Sequence, residues 1–330
     1  MASNGASGNS KLVIPHYEEL VQRDGAPDYS AWGVFGDDDE LGTVNFISSE
    51  SVVQATRLVE QGNIFSLDCP INAFHTWTGR QNAEHVIFQR REDSRDDYLN
   101  SFYLQSTSQI DGLRHIRHPD HGFYNGNQDA SIVVGTSELG IQNWAESGII
   151  GRGVLLDVAR SYLRQGKAID YRSNQTISVM DLERAAEEQA VEFRSGDILL
   201  IRTGWLDHYF NILTEDERIA FASDICSPGL IQSYETLSWL WDHQFSVVAA
   251  DNMAVEAIPP IDNSPFEGRT LGLMHHDLIA LLGFVLGELW YLDDLATDCD
   301  ADKRYEFLLT AKVLNLVGGV GSPPNAMAIK

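Results

Sequence analysis

Apolar segments of strand length alternate with helix signals from about residue 45 to the C-terminus, and no long linker interrupts them. Short apolar runs such as Gly153–Val158 and Ile198–Arg202 are typical of strands that are buried on both faces. Between these two runs, Ser178 and Asp181 form a capping box ahead of a helix. The alternation therefore predicts a single α/β domain built on a largely buried mixed sheet.

Capping residues and apolar runs also predict the other elements. We expect a helix from Ser48 to Gly62, a strand over 64–67, a helix from Pro228 to about Trp241, a strand over 245–250 and a last strand between Phe307 and Val317. The stretch from 78 to 152 is more polar and less regular, which predicts active-site loops on a rigid scaffold. The glycine-rich segment 318–322 predicts a structural turn.

Composition limits the function classes. The net charge of −25 over 330 residues argues against binding to nucleic acid or to anionic membranes, since both would be repelled. No apolar run reaches about 18 residues, so we expect no membrane span. Three cysteines without a paired pattern favour a reducing compartment, and we expect a cytoplasmic protein. Residues 1–12 are mostly small and polar, which predicts a disordered tail before one domain over 13–330.

The segment Gln105 to His115 carries the densest set of reactive side chains. Gln105, Gln109, Asp111 and His115 lie at regular offsets, and a carboxylate four residues before an imidazole can meet it at one point. Such a pairing sets the tautomer and the basicity of the imidazole. A second cluster lies far downstream and comprises His275, His276 and Glu288. We expect the two clusters to meet, with His115, Asp111 and Glu288 as the catalytic candidates.

Several segments, taken in order, resemble the cyclase family that includes kynurenine formamidase and isatin hydrolase. They are Trp32-Gly33, Glu40–Asn45, Gly151–Asp157, Gly196–Trp205, Ala250–Asn252, His275–Ile279, Gly287-Glu288 and Gly321–Pro323. The resemblance covers nearly all of the chain. It implies a swivelling β/β/α-type fold, a homodimer or homotetramer, and metal-dependent opening of small cyclic or acyl-amide substrates.

The chain departs from the family's signature, H-x-G-T-H-x-D-x-P-x-H, in a chemically important way. Gln105 and Gln109 replace its first two histidines and Leu113 replaces its proline, so the chain resembles a subfamily with two glutamines. A neutral carboxamide is a weak ligand for Zn²⁺ or Mn²⁺. The resemblance therefore implies that the family's first metal position is lost, while Asp111 and His115 remain.

The second metal position implied by the family keeps a complete ligand set. One divalent ion, zinc or manganese, would be held by Asp111, His115, Glu288 and either His275 or His276. Alignment through His-x-x-Leu and Gly-Glu favours His275, whereas the twelve-residue spacing to Glu288 favours His276. The sequence leaves these two alternatives open.

Three functions follow from these residues. The first is a metal-assisted hydrolase or cyclase acting on a small cyclic amide, lactone or acyl-amide, in which Gln105 and Gln109 donate amide N–H bonds to the substrate. The second is a metal-free cyclase, dehydratase or isomerase that uses His115 and Asp111. The third is a non-catalytic protein that binds a small molecule on a degenerate hydrolase scaffold.

Two more side chains are candidates for substrate binding. Asp251 follows a predicted strand, and the carboxyl ends of strands in α/β sheets are where sites gather. Tyr124 lies in a Tyr-Asn-Gly segment that can line a pocket or form a tight turn. Both residues have a structural interpretation as well, in a turn or in packing.

Overall fold

A computed structural model describes residues 13–75 and 79–330. The expected disordered tail, residues 1–12, lies outside the described residues. The strands, in chain order, are β1 (Ile64–Ser66), β2 (Glu84–Arg91), β3 (Ser94–Asn100), β4 (Gln109–Asp111), β5 (Ile149–Asp157), β6 (Thr176–Ile177), β7 (Ile198–Arg202), β8 (Gly229–Leu230), β9 (Val247–Ala250), β10 (Val285–Glu288), β11 (Glu306–Ala311), β12 (Gly321–Ser322) and β13 (Ala326–Ile329).

The helices are short and lie between these strands. They are α1 (Ser49–Thr56), α2 (Gln142–Ser147), α3 (Val158–Arg164), α4 (Val179–Glu188), α5 (Trp205–Asp207), α6 (Glu215–Phe221), α7 (Tyr234–Asp242) and α8 (Asp293–Asp302), with π-helical turns at His208–Ile212 and His276–Leu281. Over residues 13–75 and 79–330, no helix combines the length and the apolar character that a membrane crossing requires.

Nine strands of the described chain form one mixed sheet in the order β1-β13-β11-β5-β7-β9-β10-β4-β12. The central strands β5, β7, β9 and β10 are parallel, and the strands on either side pair antiparallel. Leu155 on β5 pairs with Leu200 on β7, which pairs with Ala249 on β9, and all three are fully buried. Burial on both faces explains their continuous apolar sequences. The predicted α/β fold with a mixed sheet is confirmed.

The capping box ahead of α4 forms as its sequence predicts. The Ser178 hydroxyl accepts a hydrogen bond from the Asp181 amide, and the Asp181 carboxylate accepts one from the Ser178 amide. Leu182 and Ala185 lie on the buried face of the helix. A local signal of this kind is reliable because both partners lie within one turn.

Other boundaries differ from the prediction. The helix expected from Pro228 begins at Tyr234, since residues 229–230 instead pair with β6 as the short strand β8. The strand expected between Phe307 and Val317 spans Glu306–Ala311 and is not the last one. Strand β13 follows it and pairs with both β1 and β11.

The stretch from 78 to 152, expected to be loops, contains a long hairpin. Strands β2 and β3 pair with each other from Glu84 to Asn100, outside the main sheet. All of their side chains are exposed or half-buried, so the hairpin has no inward apolar face that alternation could reveal. Strand β4 lies in the same stretch and does join the main sheet.

Candidate active site

Two strands bring distant parts of the sequence onto one face of the sheet. Strand β4 pairs antiparallel with β10, with Gln109 opposite Glu288 and Asp111 opposite Leu286. Because alternate residues of a strand share a face, the side chains of Gln109, Asp111 and Glu288 project to the same side. Gly287 precedes Glu288 on β10, and it has no side chain that would collide with the Trp290 indole. An added Cβ would lie 2.7 Å from Trp290 Nε1.

His275 joins this face from the turn before the π-helical segment His276–Leu281. Its Nε2 lies 3.1 Å from Glu288 Oε1, and its Nδ1 lies 2.5 Å from Glu256 Oε1. The other Glu256 oxygen accepts the backbone N–H of Met274 at 2.8 Å. Glu256 therefore fixes the imidazole, and no sequence pattern had singled out this residue.

In the described part of the chain, Asp111, His275 and Glu288 form a cluster of possible metal ligands. One ligand atom from each lies within 4.8 Å of the others, and all three residues are buried. Asp111 Oδ1 is buried and has no hydrogen-bond partner among the described residues. The arrangement presents two carboxylates and one imidazole to a common point.

The two remaining histidines lie beside this cluster. His115 Nε2 is 3.8 Å from Asp111 Oδ1, and its side chain is 21% exposed. The Nδ1 atom of His276 lies 2.8 Å from the backbone oxygen of Arg117. Of the two neighbouring histidines, it is thus His275 that meets Asp111 and Glu288, while His276 contributes to the cavity wall.

Burial and charge change the protonation of these groups. Burial, together with the nearby Asp111 carboxylate, raises the pKa of Glu288 to about 7. Burial alone lowers the pKa of His275, but its hydrogen bonds to Glu256 and Glu288 outweigh that effect and raise it well above its usual value. Burial lowers the pKa of His115, although Asp111 opposes the shift, so this imidazole is neutral at pH 7.

The two glutamines are engaged by other protein groups. The Gln109 amide donates a hydrogen bond to Glu288 Oε2, and the Gln105 amide meets His115 Nδ1 at 3.3 Å. Gln109 lines the cavity, whereas Gln105 is not among the described residues that do so. Within the protein the two amides contact Glu288 and His115, and the expectation that both donate to substrate stays a prediction.

The cluster opens into a cavity of about 320 Å³, a size that suits a small organic ligand. Much of its wall is apolar and is formed by Ile116, Ile225, Met253, Ile258, Leu271 and Leu273. Arg80 supplies a positive charge to the wall and was not a sequence candidate. It lies at the edge of the irregular 78–152 stretch, which gave no pattern to mark it.

Asp251 and Tyr124 lie outside this cavity, as far as its described lining shows. Asp251 is fully buried and accepts hydrogen bonds from Thr203 N, Thr203 Oγ1 and Gly204 N. Tyr124 is also fully buried, and its hydroxyl donates to Asp39 at 3.1 Å. Their polar atoms make hydrogen bonds within the protein, and the expectation that these two side chains contact substrate stays a prediction.

Solved structures with this architecture include cyclases and hydrolases. A crystal structure described as a novel cyclase is 33% identical, with a TM-score of 0.80, and the match covers 91% of this chain and 99% of that one. Isatin hydrolase A from Labrenzia aggregata bound to benzyl benzoate is 13% identical, with a TM-score of 0.53 and coverage of 85% and 98%. An isatin hydrolase bound to the product analogue thioisatinate is 15% identical, with a TM-score of 0.53 and coverage of 86% and 98%. At these low identities, the two hydrolases establish similarity of fold alone.

No curated protein matches the chain. The family model described as Putative cyclase matches residues 56–257, which is more than half of the 330 residues. That match includes the Gln105 to His115 motif, and the novel cyclase structure adds a match over nearly the whole chain. The chain therefore belongs to this cyclase family.

Proposed function

We propose that the protein is a metal-assisted hydrolase or cyclase that acts on a small cyclic amide, lactone or acyl-amide. The observation that carries this proposal is the convergence of Asp111, His275 and Glu288, with ligand atoms within 4.8 Å, at the edge of a largely apolar cavity. Membership of the cyclase family supports an enzymatic role. The substrate class is the one that the resemblance to the cyclase family implies, and the small, largely apolar cavity is compatible with it.

The donor set suits one divalent ion, zinc or manganese. Asp111 offers a buried carboxylate oxygen that no described protein group satisfies, and burying such a group without a partner is costly. Glu256 holds Nδ1 of His275, so that Nε2 faces the other ligands, as in the carboxylate–histidine pairs that support metal sites. Two carboxylates and an imidazole lie within the ligand chemistry of both metals.

When bound, such an ion polarises a carbonyl oxygen and makes water more acidic. The chain's own residues supply the remaining functions. His115 is a neutral imidazole on the cavity wall and can accept the proton of the attacking nucleophile. Gln105 meets its Nδ1 and so orients the ring, while Gln109 holds the Glu288 carboxylate in place. The apolar wall excludes water from the remainder of the substrate.

The test is hydrolysis of a panel of cyclic amides, lactones and formyl-amides by the purified protein as isolated, after chelation, and after Zn²⁺ or Mn²⁺ is restored. We expect chelation to reduce turnover by roughly a hundredfold or more and one of the two ions to restore it. Elemental analysis should find about one ion per chain if the cluster is a single metal site. Activity that survives complete removal of metal would overturn the proposal.

A metal-free cyclase, dehydratase or isomerase is the second candidate, and one observation favours it. Both ring nitrogens of His275 already contact carboxylates, and Glu288 also accepts from Gln109, so the cluster has partners of its own. Gln109→His discriminates between the two candidates. A rise in metal occupancy supports an ion at this cluster, whereas lost turnover without added metal supports the metal-free role.

A further inference from the structure

Among the described residues that line the cavity, Arg80 is the one arginine, and no lysine is present. Arg80 lies there with the acidic residues Asp111 and Glu288 and with apolar side chains such as Ile225 and Met253. A single positive charge in a largely apolar wall is the kind of polar group that fixes the orientation of a ligand. Arg80 is not one of the proposed metal ligands, although its charge acts on Glu288 and His115.

The Arg80 guanidinium makes no ion pair with the residues that the structure describes. Its Nη1 donates to the backbone oxygen of Gln105 at 2.7 Å, and over residues 13–75 and 79–330 no carboxylate lies within 4.0 Å of its guanidinium. Arg202, by contrast, lies between Asp157 at 2.9 Å and Asp293 at 2.7 Å. The chain has 48 acidic and 23 basic residues, so acidic partners are plentiful for most arginines. Arg23, Arg57 and Arg114 also make no ion pair within the described chain, but among the described arginines it is Arg80 that lines this cavity.

The contact to Gln105 holds Arg80 on the His115 side of the cavity. The same glutamine that accepts from Arg80 through its backbone oxygen meets His115 Nδ1 through its side chain. A guanidinium has five N–H donors in a planar fork, and the backbone oxygen of Gln105 uses one side of it. Donors remain for a planar acceptor inside the cavity, and a carboxylate is the acceptor that a guanidinium matches best.

We propose that Arg80 binds an anionic group of the substrate, most simply a carboxylate, beside the carbonyl that reacts. The substrate class would then be an amide, lactone or cyclic amide that carries a carboxylate, which rests on the proposed function and narrows it. The guanidinium offsets the repulsion that Asp111 and Glu288 exert on an anion in the same cavity. The apolar part of the wall accommodates the remainder of the substrate.

The test compares benzoate with benzamide, two probes of the same size that differ in charge. Their dissociation constants are measured by calorimetry on the zinc-loaded protein and on Arg80→Gln. We expect the wild type to prefer benzoate by about tenfold or more, and the preference to fall to about twofold in Arg80→Gln. Arg80→Lys keeps the charge without the planar fork, and we expect it to keep part of the preference.

Arg57→Gln is the matched control, because it removes an equal charge from an exposed arginine outside the described cavity lining. It should leave the preference for benzoate unchanged. Thermal unfolding of each variant shows whether a lost preference reflects a lost fold. Should Arg80→Gln misfold, the ratio of the benzoate and benzamide dissociation constants in Arg80→Lys, compared with the wild type, still measures the contribution of the planar guanidinium.

An unchanged ratio of the two affinities in folded Arg80→Gln would overturn the inference, because benzoate would then be bound elsewhere, for example by the metal alone. This outcome is distinct from failure of the proposed function, which is judged by hydrolysis before and after chelation. A preference that depends on Arg80, in a protein whose turnover is insensitive to chelation, would keep the anion site and reject the metal.

Discussion

Asp111 and Asp251 are two buried aspartates at the ends of strands in the same sheet, and they have different roles. Asp251 accepts three hydrogen bonds from Thr203 and Gly204, whereas Asp111 Oδ1 has no hydrogen-bond partner in the described chain. Asp111 also lines the cavity beside His275. Burial at the end of a strand therefore does not define a site; what distinguishes them is whether the protein itself supplies donors to the carboxylate.

The largest expected effect comes from Asp111→Asn. Removing a ligand charge should lower turnover on the order of 10²–10³-fold and weaken metal binding, because the cluster loses one of its two cavity carboxylates. Stability should change little, since Oδ1 makes no hydrogen bond that the substitution could break. Turnover, metal content and urea unfolding measure these effects. Asp120→Asn, on an exposed loop, is the control, and equal losses in both variants would contradict the distinction.

Glu256→Gln tests whether His275 depends on its buried partner. A neutral amide supports the imidazole less well, and loss of such a partner commonly lowers metal affinity about 10–100-fold. Competition with a chelator of known affinity measures the change. The exposed Glu267→Gln provides the same chemical substitution as a control. Unaltered affinity in Glu256→Gln would mean that His275 is held by other contacts.

Asp251→Asn should show the opposite pattern to Asp111→Asn. An amide nitrogen cannot accept from Thr203 N or Gly204 N, so one buried donor is left unpaired at a cost of about 1–3 kcal/mol in the free energy of unfolding. Turnover per folded molecule should stay near that of the wild type, because Asp251 is not among the described residues that line the cavity. Urea unfolding with activity at low urea measures both. A stable but inactive variant would place Asp251 in the site after all.

Asp68 is an intermediate case, and its expected effect is the smallest. One of its oxygens accepts from Ala326 N at 2.9 Å, while the other is buried without a hydrogen-bond partner among the described residues. Burial raises the pKa of Asp68 to about 6, above its usual value near 3.8. The native state therefore binds this proton more tightly than the unfolded state does. Its contribution to stability is complete below the lower value and is lost as the pH rises through the higher one.

Asp68→Asn imitates the protonated form and removes this dependence. Urea unfolding between pH 4 and pH 7 should show a decline in the wild type that is reduced in the variant. The comparison is best made as the difference between the two proteins at each pH, since other groups titrate equally in both. A difference that is constant over this range would mean that the Asp68 carboxylate is not held protonated by burial.

The sequence predicted the fold better than it predicted the site. Runs such as Ile198–Arg202 reveal strands because burial on both faces requires continuous apolar residues. The β2–β3 hairpin was missed because it buries neither face. The tendency of sites to gather at the ends of strands could not separate Asp111 from Asp251, because the groups that donate to Asp251 come from a different part of the chain.

Within the site, local sequence could not decide between His275 and His276. The two residues adjoin, and only the turn before the π-helical segment determines that His275 faces Glu288. Glu256 and Arg80 belong to no sequence motif. Glu256 acts through a contact with His275, nineteen residues away, and Arg80 lies in an irregular stretch of the chain. Asp111 and Glu288 could be predicted from the sequence, because their side-chain chemistry and the family pattern point to the same positions.

The central claim is that Asp111, His275 and Glu288 hold one ion, and anomalous diffraction from crystals grown with Zn²⁺ or Mn²⁺ tests it most directly. The account predicts one strong anomalous peak within bonding distance of all three side chains, and loss of that peak in Asp111→Asn. No peak at this cluster in crystals saturated with either metal, or a peak bound by other residues, would contradict it.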